Sequence, residues 1–305
     1  MHTLHHRDGH HGWDRSLAPR FAVGPGDTVE LVLADCFGGQ LGPDATGADV
    51  AVLDLDLANP LTGPVAVRGA EPGDALRIEI LDVETGPLGW TTLIPGFGLL
   101  ADHFPQPHAI VSHVAGGRVE VGDGLARLPA RPFLGTIGVA PAESGPHSVI
   151  PPRRVGGNLD CRDMGAGTVL LLPVEAPGAL LSVGDPHAAQ GDGEVCGTAV
   201  ETTATVRLRI EVVTGQAPPA PQLDLPAPSP RPEAPRLLTT GVGPDLYAGA
   251  RDATLAMIER LDRDHGLDPA DAYALCSIAA DLRIIEVVDA PNWVVGLDFP
   301  LAVLV

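Results

Sequence analysis

The sequence contains no lysine, because all 19 of its basic residues are arginines. Ser-Ser-Lys and Glu-Lys-Cys hydrolases, Schiff-base enzymes and Walker-type phosphate loops all need a lysine amine, so these classes are excluded. No Gly-x-Ser-x-Gly motif occurs either, which argues against a serine nucleophile on a sharp strand-to-helix turn. Covalent catalysis therefore has few candidate groups in this chain.

Cysteines and long apolar runs are also scarce. Cys36, Cys161, Cys196 and Cys276 are widely spaced without a Cys-x-x-Cys pair, which excludes a cysteine zinc cage and suits a reducing cytoplasm. No apolar run approaches the roughly 20 residues that cross a bilayer. The N-terminal residues lack the apolar stretch of a signal peptide. We therefore expect a cytoplasmic protein with no membrane partner.

Positively charged residues are few, with 19 Arg against 39 Asp and Glu. The formal net charge is -20 at pH 7, whereas 45% of the residues are hydrophobic. Such a chain would repel nucleic-acid phosphates and anionic membranes, so we expect neither as a partner. Its apolar content is too high for a disordered chain. The composition favours a globular protein that binds a metal ion or a small neutral substrate.

Short β-strands dominate the first two thirds of the sequence. Pro-Gly-Asp turns precede two apolar stretches at residues 28–34 and 75–81, and Gly suits the positive φ of a type II turn. In residues 75–81 and 206–212 apolar and charged side chains alternate with period two, which predicts half-buried strands. With 37 Gly and 31 Pro marking turns, the pattern predicts a β-sandwich or barrel.

The pattern changes after residue 216. Residues 217–236 are rich in proline, which predicts an extended connector. Beyond it, helical spacing of apolar residues predicts a helix over 245–263, and Asp268-Pro269 predicts the start of a second one. Residues 283–288 read as a strand. We therefore predict a mainly β fold: a sandwich- or barrel-like β body (1–216) carrying the site, the connector (217–236), and a smaller α/β portion (237–305) packed on the body.

The segment 184–194 concentrates polar side chains among glycines. It places Asp185, His187, Gln190, Asp192 and Glu194 within what reads as one bend, where glycines let the backbone approach a ligand closely. A neutral imidazole beside carboxylates makes a good Zn²⁺ ligand. We therefore predict His187 as a metal ligand, with a surface histidine as the alternative.

A second glycine-rich segment, residues 156–160, carries Asn158 and Asp160. In an extended chain, side chains two positions apart point the same way, so these two would act together, with Asp160 as a metal ligand and Asn158 on the substrate. Asp35 ends a predicted strand and is the third candidate ligand. The alternatives are a turn aspartate at 160 and a solvated carboxylate at 35.

Asp192 and Glu194 share the same two-residue spacing and are the candidate catalytic groups. One would coordinate the metal while the other accepts a proton from water, and we favour Glu194 for the proton. Gln190 is predicted to contact the substrate. Metal charge and an amide donor such as Asn158 would stabilise the oxyanion formed during hydrolysis. A cysteine nucleophile is disfavoured because no histidine is paired in sequence with Cys161 or Cys196.

Taken in order, several motifs resemble the acetamidase/formamidase family. They include Asp35 with Gly39-Gln40, Pro60-Leu-Thr-Gly-Pro64, Gly156-Gly-Asn-Leu-Asp160, the segment 184–194 and Asp289-Ala-Pro-Asn292. The resemblance spans nearly the whole chain. It implies a mainly β body with a smaller α/β portion, metal-assisted attack of water on short amides such as formamide and acetamide, and a homodimer.

Two alternatives remain open on the sequence. A lactam or carbamate hydrolase would keep the same chemistry with a different pocket, whose walls would include Trp90, Phe97, Phe133 or Trp293 unless these residues are core. A non-catalytic β module braced by Ca²⁺ or Mg²⁺ would use the oxygen-rich segment 184–194. Because a histidine lies among the carboxylates, Zn²⁺ is the preferred cofactor, with another divalent metal as the alternative.

Overall fold

A computed structural model describes residues 2–225 and 235–304 of the chain. Within them, 17 strands are linked by backbone pairing into one continuous sheet, which additional pairings close back on itself. Three α-helices accompany the sheet, and two of them lie near the C-terminus. The prediction of a mainly β body with a smaller C-terminal α/β portion is confirmed.

The strands are β1 (His2–His5), β2 (Phe21–Val23), β3 (Thr28–Leu33), β4 (Thr62–Val67), β5 (Ala75–Leu93), β6 (His108–Ala115), β7 (Arg118–Val121), β8 (Ala126–Pro129), β9 (Phe133–Gly138), β10 (Gly156–Asn158), β11 (Val169–Pro173), β12 (Leu181–His187), β13 (Glu201–Val213), β14 (Gln222–Leu225), β15 (Arg236–Gly243), β16 (Asp281–Glu286) and β17 (Trp293–Pro300). The helices are α1 (Gly47–Val50), α2 (Leu246–His265) and α3 (Pro269–Ala279).

The three strands expected from the turn signals and the alternating pattern form the centre of the body. β13 lies between β3 and β5, and Val206 faces Leu31 on one side and Val83 on the other. The apolar faces of these strands meet in one large core. β5 is longer than the sequence predicts, because its first half pairs with β11 and its second half with β6.

A second group of strands carries the glycine-rich segments. β9 lies between β10 and β12, so that Thr136 is in register with both Asn158 and Gly184. At its end β12 meets the start of β13, where His187 is paired directly with Glu201. This junction brings polar residues that are distant in sequence to one end of the body.

The C-terminal portion continues the sheet of the body. β14 pairs with β11 on one side and with β15 on the other, and β15 pairs in turn with β17. Residues 222–225, expected to belong to an extended connector, thus form a strand, because neighbours on both sides take up their backbone groups. Residues 226–234 of that connector lie outside the described part of the chain. The division of the chain into three parts stays a prediction.

Helix α2 covers the outer face of β15 and β17. The Asp245 side chain accepts a hydrogen bond from the Ala248 N–H at 2.7 Å, which caps the start of the helix, and Gly266 ends it in the left-handed conformation. Gly241 of β15 lies against the backbone of Gly249, where a Cβ would meet the Gly249 carbonyl oxygen at 2.0 Å. Glycine at this position lets the helix sit directly on the sheet.

In the described residues, we find no helix with the length and apolarity that a membrane crossing requires.

Candidate active site

A cavity of about 360 Å³ opens beside the junction of β12 and β13. Apolar side chains, including Phe37, Ile94 and Phe97, line it, and we call them its walls. Four buried carboxylates also line it, and we call these four its floor. These four belong to a larger group of buried side chains, which we call the site cluster: Asp160, Asp185, His187, Glu194, Glu201, Glu286 and Asp289.

His187 is fully buried at the centre of the site cluster. Its Nε2 lies 3.1 Å from Asp185 Oδ1 and 3.0 Å from Glu201 Oε2, while its Nδ1 lies 2.8 Å from Gln190 Oε1. Phe133 packs edge-on against the ring with centroids 4.9 Å apart. Burial disfavours the imidazolium, but the carboxylates of Glu201 and Asp185 outweigh it and raise the pKa of His187 well above its ordinary value.

Asp160 faces His187 from the opposite side. Its Oδ1 lies 4.0 Å from His187 Nδ1, and within the described residues neither carboxylate oxygen has a hydrogen-bond partner although both are buried. Asp160, His187 and Glu194 offer ligand atoms that all lie within 4.8 Å of one another. Leaving a buried carboxylate without a partner is costly. A divalent cation would satisfy these oxygens, and the donor set fits zinc.

A second group of possible ligands lies next to the first. Cys36, Asp185 and Glu201 also place one ligand atom each within 4.8 Å of one another. Burial raises the pKa of the Cys36 thiol well above its usual range, and nearby carboxylates add to the effect. Since Asp185 and Glu201 both contact His187, they are well placed to orient the imidazole, as carboxylates do for metal-bound histidines.

The carboxylates of the site cluster repel one another. Burial raises the pKa of Asp160, Glu194 and Asp289 well above the usual range, and neighbouring acidic groups raise them further. Burial likewise raises the pKa of Glu201 and of Glu286 to about 7. No arginine of the described residues forms an ion pair with any of these five groups. The cluster therefore holds more negative charge than the fold neutralises.

Two members of the site cluster come from the C-terminal portion. Glu286 is fully buried at the end of β16, and its Oε1 accepts hydrogen bonds from the N–H groups of Val288 and Asp289. Asp289 lines the cavity and accepts a hydrogen bond from Asn158 Nδ2 at 2.6 Å. Glu286 and Asp289, from the C-terminal portion, therefore complete the site cluster.

Three sequence-predicted residues are brought together: His187, Asp160 and Glu194. The segment around His187 is not the single bend that its glycines suggested. Residues up to 187 belong to β12, which is buried along its whole length and paired with β9. The imidazole is buried for this reason, and a surface histidine is excluded.

Asp192 is placed elsewhere. Its carboxylate contacts Arg283 at 2.8 and 3.1 Å and Arg162 at 3.1 Å. The expected extended spacing fails because Gly193 and Glu194 both have positive φ, at 90° and 45°. The chain turns between the two carboxylates, so Asp192 joins an ion-pair network whereas Glu194 enters the site cluster.

Asn158 lines the cavity, and its polar atoms are engaged with neighbouring side chains. Its Nδ2 donates to Asp289, while its Oδ1 accepts from Asn59 Nδ2 at 3.2 Å and from the Thr136 hydroxyl. The expected parallel orientation of Asn158 and Asp160 is broken by the left-handed φ of 43° at Asp160. The two side chains therefore take different partners.

Gln190 and Asp35 lie beside the site cluster. Gln190 bridges His187 to the Asp160 carbonyl, to which its Nε2 donates at 2.7 Å, and it is not among the residues that line the cavity. Asp35 Oδ1 accepts hydrogen bonds from the N–H groups of Phe37 and Gly39 at 2.9 and 3.2 Å. In this position Asp35 shapes the turn that carries Cys36 and Phe37 to the cavity.

Several site residues escaped prediction, namely Cys36, Glu201, Glu286 and Asp289. The sequence does contain a signal for Glu286, because this charged residue interrupts the apolar run from Ile284 to Val288. Glu201 had none of its own, because only strand pairing places it opposite His187. Of the aromatic residues weighed as pocket walls, Phe97 lines the cavity, whereas Trp90 and Phe133 are buried in the protein interior.

Gly135 lies directly beneath the carboxylates. A Cβ at this position would come within 2.6 Å of both Asp160 Oδ1 and Asp185 Oδ2. Gly135 also accepts hydrogen bonds at its carbonyl from the N–H groups of Leu159 and Asp160, at 3.0 and 3.2 Å. The absence of a side chain here leaves space for both carboxylates at the centre of the cluster.

Comparison with known proteins gives one consistent result. A model of the acetamidase/formamidase family matches residues 2–149 and 143–305. An acetamidase of Mycolicibacterium smegmatis is 30% identical over 271 residues, or 68% of this chain and 66% of that protein. A formamidase of Methylophilus methylotrophus is 30% identical over 260 residues, or 67% and 64%. The chain thus spans just under two thirds of these relatives' length.

Solved structures agree with the sequence relatives. The crystal structure of an acetamidase from Bacillus halodurans has a TM-score of 0.89 and 34% identity, with 99% of this chain and 98% of that chain covered. A gamma lactamase from Delftia acidovorans has a TM-score of 0.72 and 26% identity, with 99% and 93% covered.

Proposed function

The chain belongs to the acetamidase/formamidase family, as the motifs indicated, and we propose that it hydrolyses the C–N bond of small amides with the help of a divalent cation. The observation that carries this proposal is the group Asp160, His187 and Glu194, whose ligand atoms lie within 4.8 Å of one another beside a cavity. The products are ammonia and a carboxylate. Relatives named acetamidase and formamidase support short linear amides as substrates.

Asp160 and His187 would hold the cation, and Zn²⁺ is the best fit because a histidine lies among the ligands. A bound divalent cation polarises a carbonyl group and lowers the pKa of water. Asp185 and Glu201 fix the imidazole from its Nε2 side. Its Nδ1 faces Asp160 and would have to give up its contact with Gln190 Oε1 to bind the cation. The unpartnered oxygens of Asp160 would then be satisfied.

Glu194 is the member of this group that lines the cavity, so we assign proton transfer to it. It accepts a proton from the attacking water and passes it to the departing nitrogen. Burial raises the pKa of Glu194, which favours uptake of a proton by this carboxylate. Asn158 carries two amide protons and gives one to Asp289, and the other would bind the substrate oxygen as negative charge develops.

We further propose that the protein works as a homodimer in the cytoplasm. The free state of all four cysteines is compatible with a reducing compartment. The lactam alternative is kept because of the likeness to a gamma lactamase, although the match to the acetamidase structure is closer in both fold and sequence. A non-catalytic module would not explain a substrate-sized cavity above four carboxylates.

The test begins with the metal content of the purified protein, measured by elemental analysis. Ammonia release is then followed with formamide, acetamide and propionamide, and formation of 4-aminobutanoate with 2-pyrrolidinone, each before and after removal of the metal with a chelator and again after zinc is added back. We expect ammonia from the linear amides, its loss with chelator and its recovery with zinc. Turnover that survives complete metal removal would refute the metal-dependent mechanism, and opening of the lactam alone would favour the alternative.

A further inference from the structure

The cavity above the site cluster is much larger than acetamide needs. Its volume is about 360 Å³, whereas a cavity of about 150 Å³ is enough to hold benzene, with its six carbon atoms. Acetamide has only four non-hydrogen atoms and would leave most of the space unfilled. Ligand pockets of roughly 300–1,000 Å³ are typical of larger organic molecules.

The walls of the cavity are apolar and its floor is acidic. Phe37, Ile94 and Phe97 line the walls together with Leu55 at 57% exposure. An apolar side chain of this size left open to water gains when a ligand covers it. The wall is also held in place: the Ile94 carbonyl accepts a hydrogen bond from the Phe97 N–H at 3.0 Å.

The floor indicates which end of an amide points inward. Asp185, Glu194, Glu201 and Asp289 line it, and carboxylates accept hydrogen bonds, whereas an unsubstituted amide nitrogen carries two protons to donate. The nitrogen of a primary amide, with two protons to donate, therefore matches the floor better than a substituted nitrogen, which has one or none. The acyl chain must then extend toward the apolar walls.

The charge of the cavity limits further which acyl groups it can bind. None of the described residues that line the cavity carries a positive charge, and the whole chain has a net charge of -20. An acyl group with a carboxylate would find no partner and would be repelled. Only a neutral apolar chain is matched by the walls.

We infer that the substrates are primary amides with a neutral, apolar acyl chain distinctly longer than acetyl, in the range of pentanamide to octanamide and phenylacetamide. This inference rests on the proposed amide hydrolysis and adds the substrate class. Each methylene that enters the cavity should raise kcat/KM about fourfold, from its burial alone. The gain should level off when the cavity is full.

The test measures ammonia release from acetamide, butanamide, hexanamide and octanamide by the zinc-loaded protein. We expect kcat/KM to rise on the order of a hundredfold from acetamide to hexanamide. A flat or falling series with clear turnover of acetamide overturns the inference and leaves the proposed hydrolysis intact. No ammonia from any amide overturns both.

Two pairs of substrates test the orientation and the charge. Hexanamide, followed by ammonia release, should be preferred to N-hexylacetamide, which carries its chain on the nitrogen and is followed by release of hexylamine. 4-Methylpentanamide should be preferred to leucinamide, which differs only by an ammonium group. A preference for the N-substituted amide would place the apolar chain on the leaving group, and a preference for leucinamide would show that the floor binds a cation. Either result overturns the inference.

A cavity-filling variant tests the walls directly. Ala58 lines the cavity, whereas Ala51, in the same segment, does not line it and is exposed. Ala58→Leu should lower the ratio of kcat/KM for hexanamide to kcat/KM for acetamide by about tenfold or more, and a wild-type thermal denaturation curve would show that the variant is folded. Ala51→Leu, the matched control, should leave both values unchanged. Equal losses on both substrates in Ala58→Leu would contradict the assignment of the wall.

Discussion

Two neighbouring acidic clusters in this protein differ in whether arginine side chains neutralise their carboxylates. In the first, which we call the arginine cluster, Arg283 binds Asp163 at 2.6 Å, Asp192 at 2.8 and 3.1 Å, and Asp298 at 3.2 Å. In the site cluster, buried carboxylates surround a single histidine, and both oxygens of Asp160 have no hydrogen-bond partner in the described residues.

The same segments of chain supply both clusters. Asp163 follows Asp160 by three residues, Asp192 precedes Glu194 by two, and Arg283 precedes Glu286 by three. One member of each pair joins the arginine cluster and the other joins the site cluster. The ion pairs of the arginine cluster thus hold these segments together, while the site cluster keeps carboxylates without a positive partner, which can bind a ligand.

The largest expected effect is a difference in kcat between variants of two carboxylates on one loop, Glu194 and Asp192. Glu194→Gln removes the group that exchanges a proton with water and should lower kcat about 10²- to 10⁴-fold, measured by ammonia release at saturating zinc. Asp192→Asn, the matched control, should leave kcat nearly unchanged and reduce stability instead. The comparison fails if Glu194→Gln keeps wild-type turnover or if Asp192→Asn is the variant that loses it.

The second prediction breaks the arginine cluster. Arg283→Leu removes the arginine that pairs with Asp163 and one of the two arginines at both Asp192 and Asp298. The variant should lower the free energy of unfolding by about 3–5 kcal/mol, measured by chemical denaturation. Arg209 pairs with Glu79 at 2.9 Å on the surface, so Arg209→Leu should cost less than about 1 kcal/mol. Equal losses in the free energy of unfolding of the two variants would mean that the buried arginine cluster contributes no more to stability than a surface ion pair.

The third prediction concerns pH in the metal-free protein. Burial raises the pKa of Glu286 to about 7, so between its ordinary value and about 7 the folded state binds a proton that the unfolded state releases. Stability from this group is therefore fully present at low pH and is lost as pH rises through that range, by on the order of 3 kcal/mol. Denaturant titrations at pH 5 and pH 8 measure the loss.

Glu286→Gln tests which group is responsible for that pH dependence. The variant should show a smaller loss of stability between pH 5 and pH 8 than the wild type, because glutamine has no proton to release. Glu84→Gln, an exposed change on β5, should keep the wild-type slope. An unchanged slope in Glu286→Gln would assign the effect to other groups.

The smallest effect should be a gain in stability. Asp160→Asn removes a buried, unpartnered charge and should stabilise the metal-free protein at pH 8 by about 1–3 kcal/mol. The same variant should no longer gain thermal stability when zinc is added, whereas the wild type should. Asp82→Asn, at a surface pair, is the control. A variant that is destabilised and still responds to zinc would show that Asp160 is not a ligand.

The sequence predicted what local rules determine. Alternation of apolar residues located β5 and β13, a Pro-Gly-Asp turn located β3, and Asp268-Pro269 located the start of α3, because each signal acts over a few neighbouring residues. The glycine-rich segments indicated His187, Asp160 and Glu194, which the fold brings together. These signals depend on residue type and on spacing along the chain.

The rest depended on contacts between distant segments. Glu201 faces His187 only because β12 and β13 are paired, and Asp289 reaches Asn158 across 131 positions. The separation of Asp192 from Glu194 follows from positive φ at Gly193 and Glu194, which two-residue spacing cannot show. The arginine cluster was missed for the same reason, since its partners come from three separate strands and loops.

The distribution of the site along the chain has a consequence for its synthesis. Cys36 and Asp289, which line the same cavity, emerge from the ribosome some 250 residues apart. A nascent chain that stops before residue 286 lacks two acidic groups of the site cluster. We therefore expect products truncated before that residue to be inert rather than partly active.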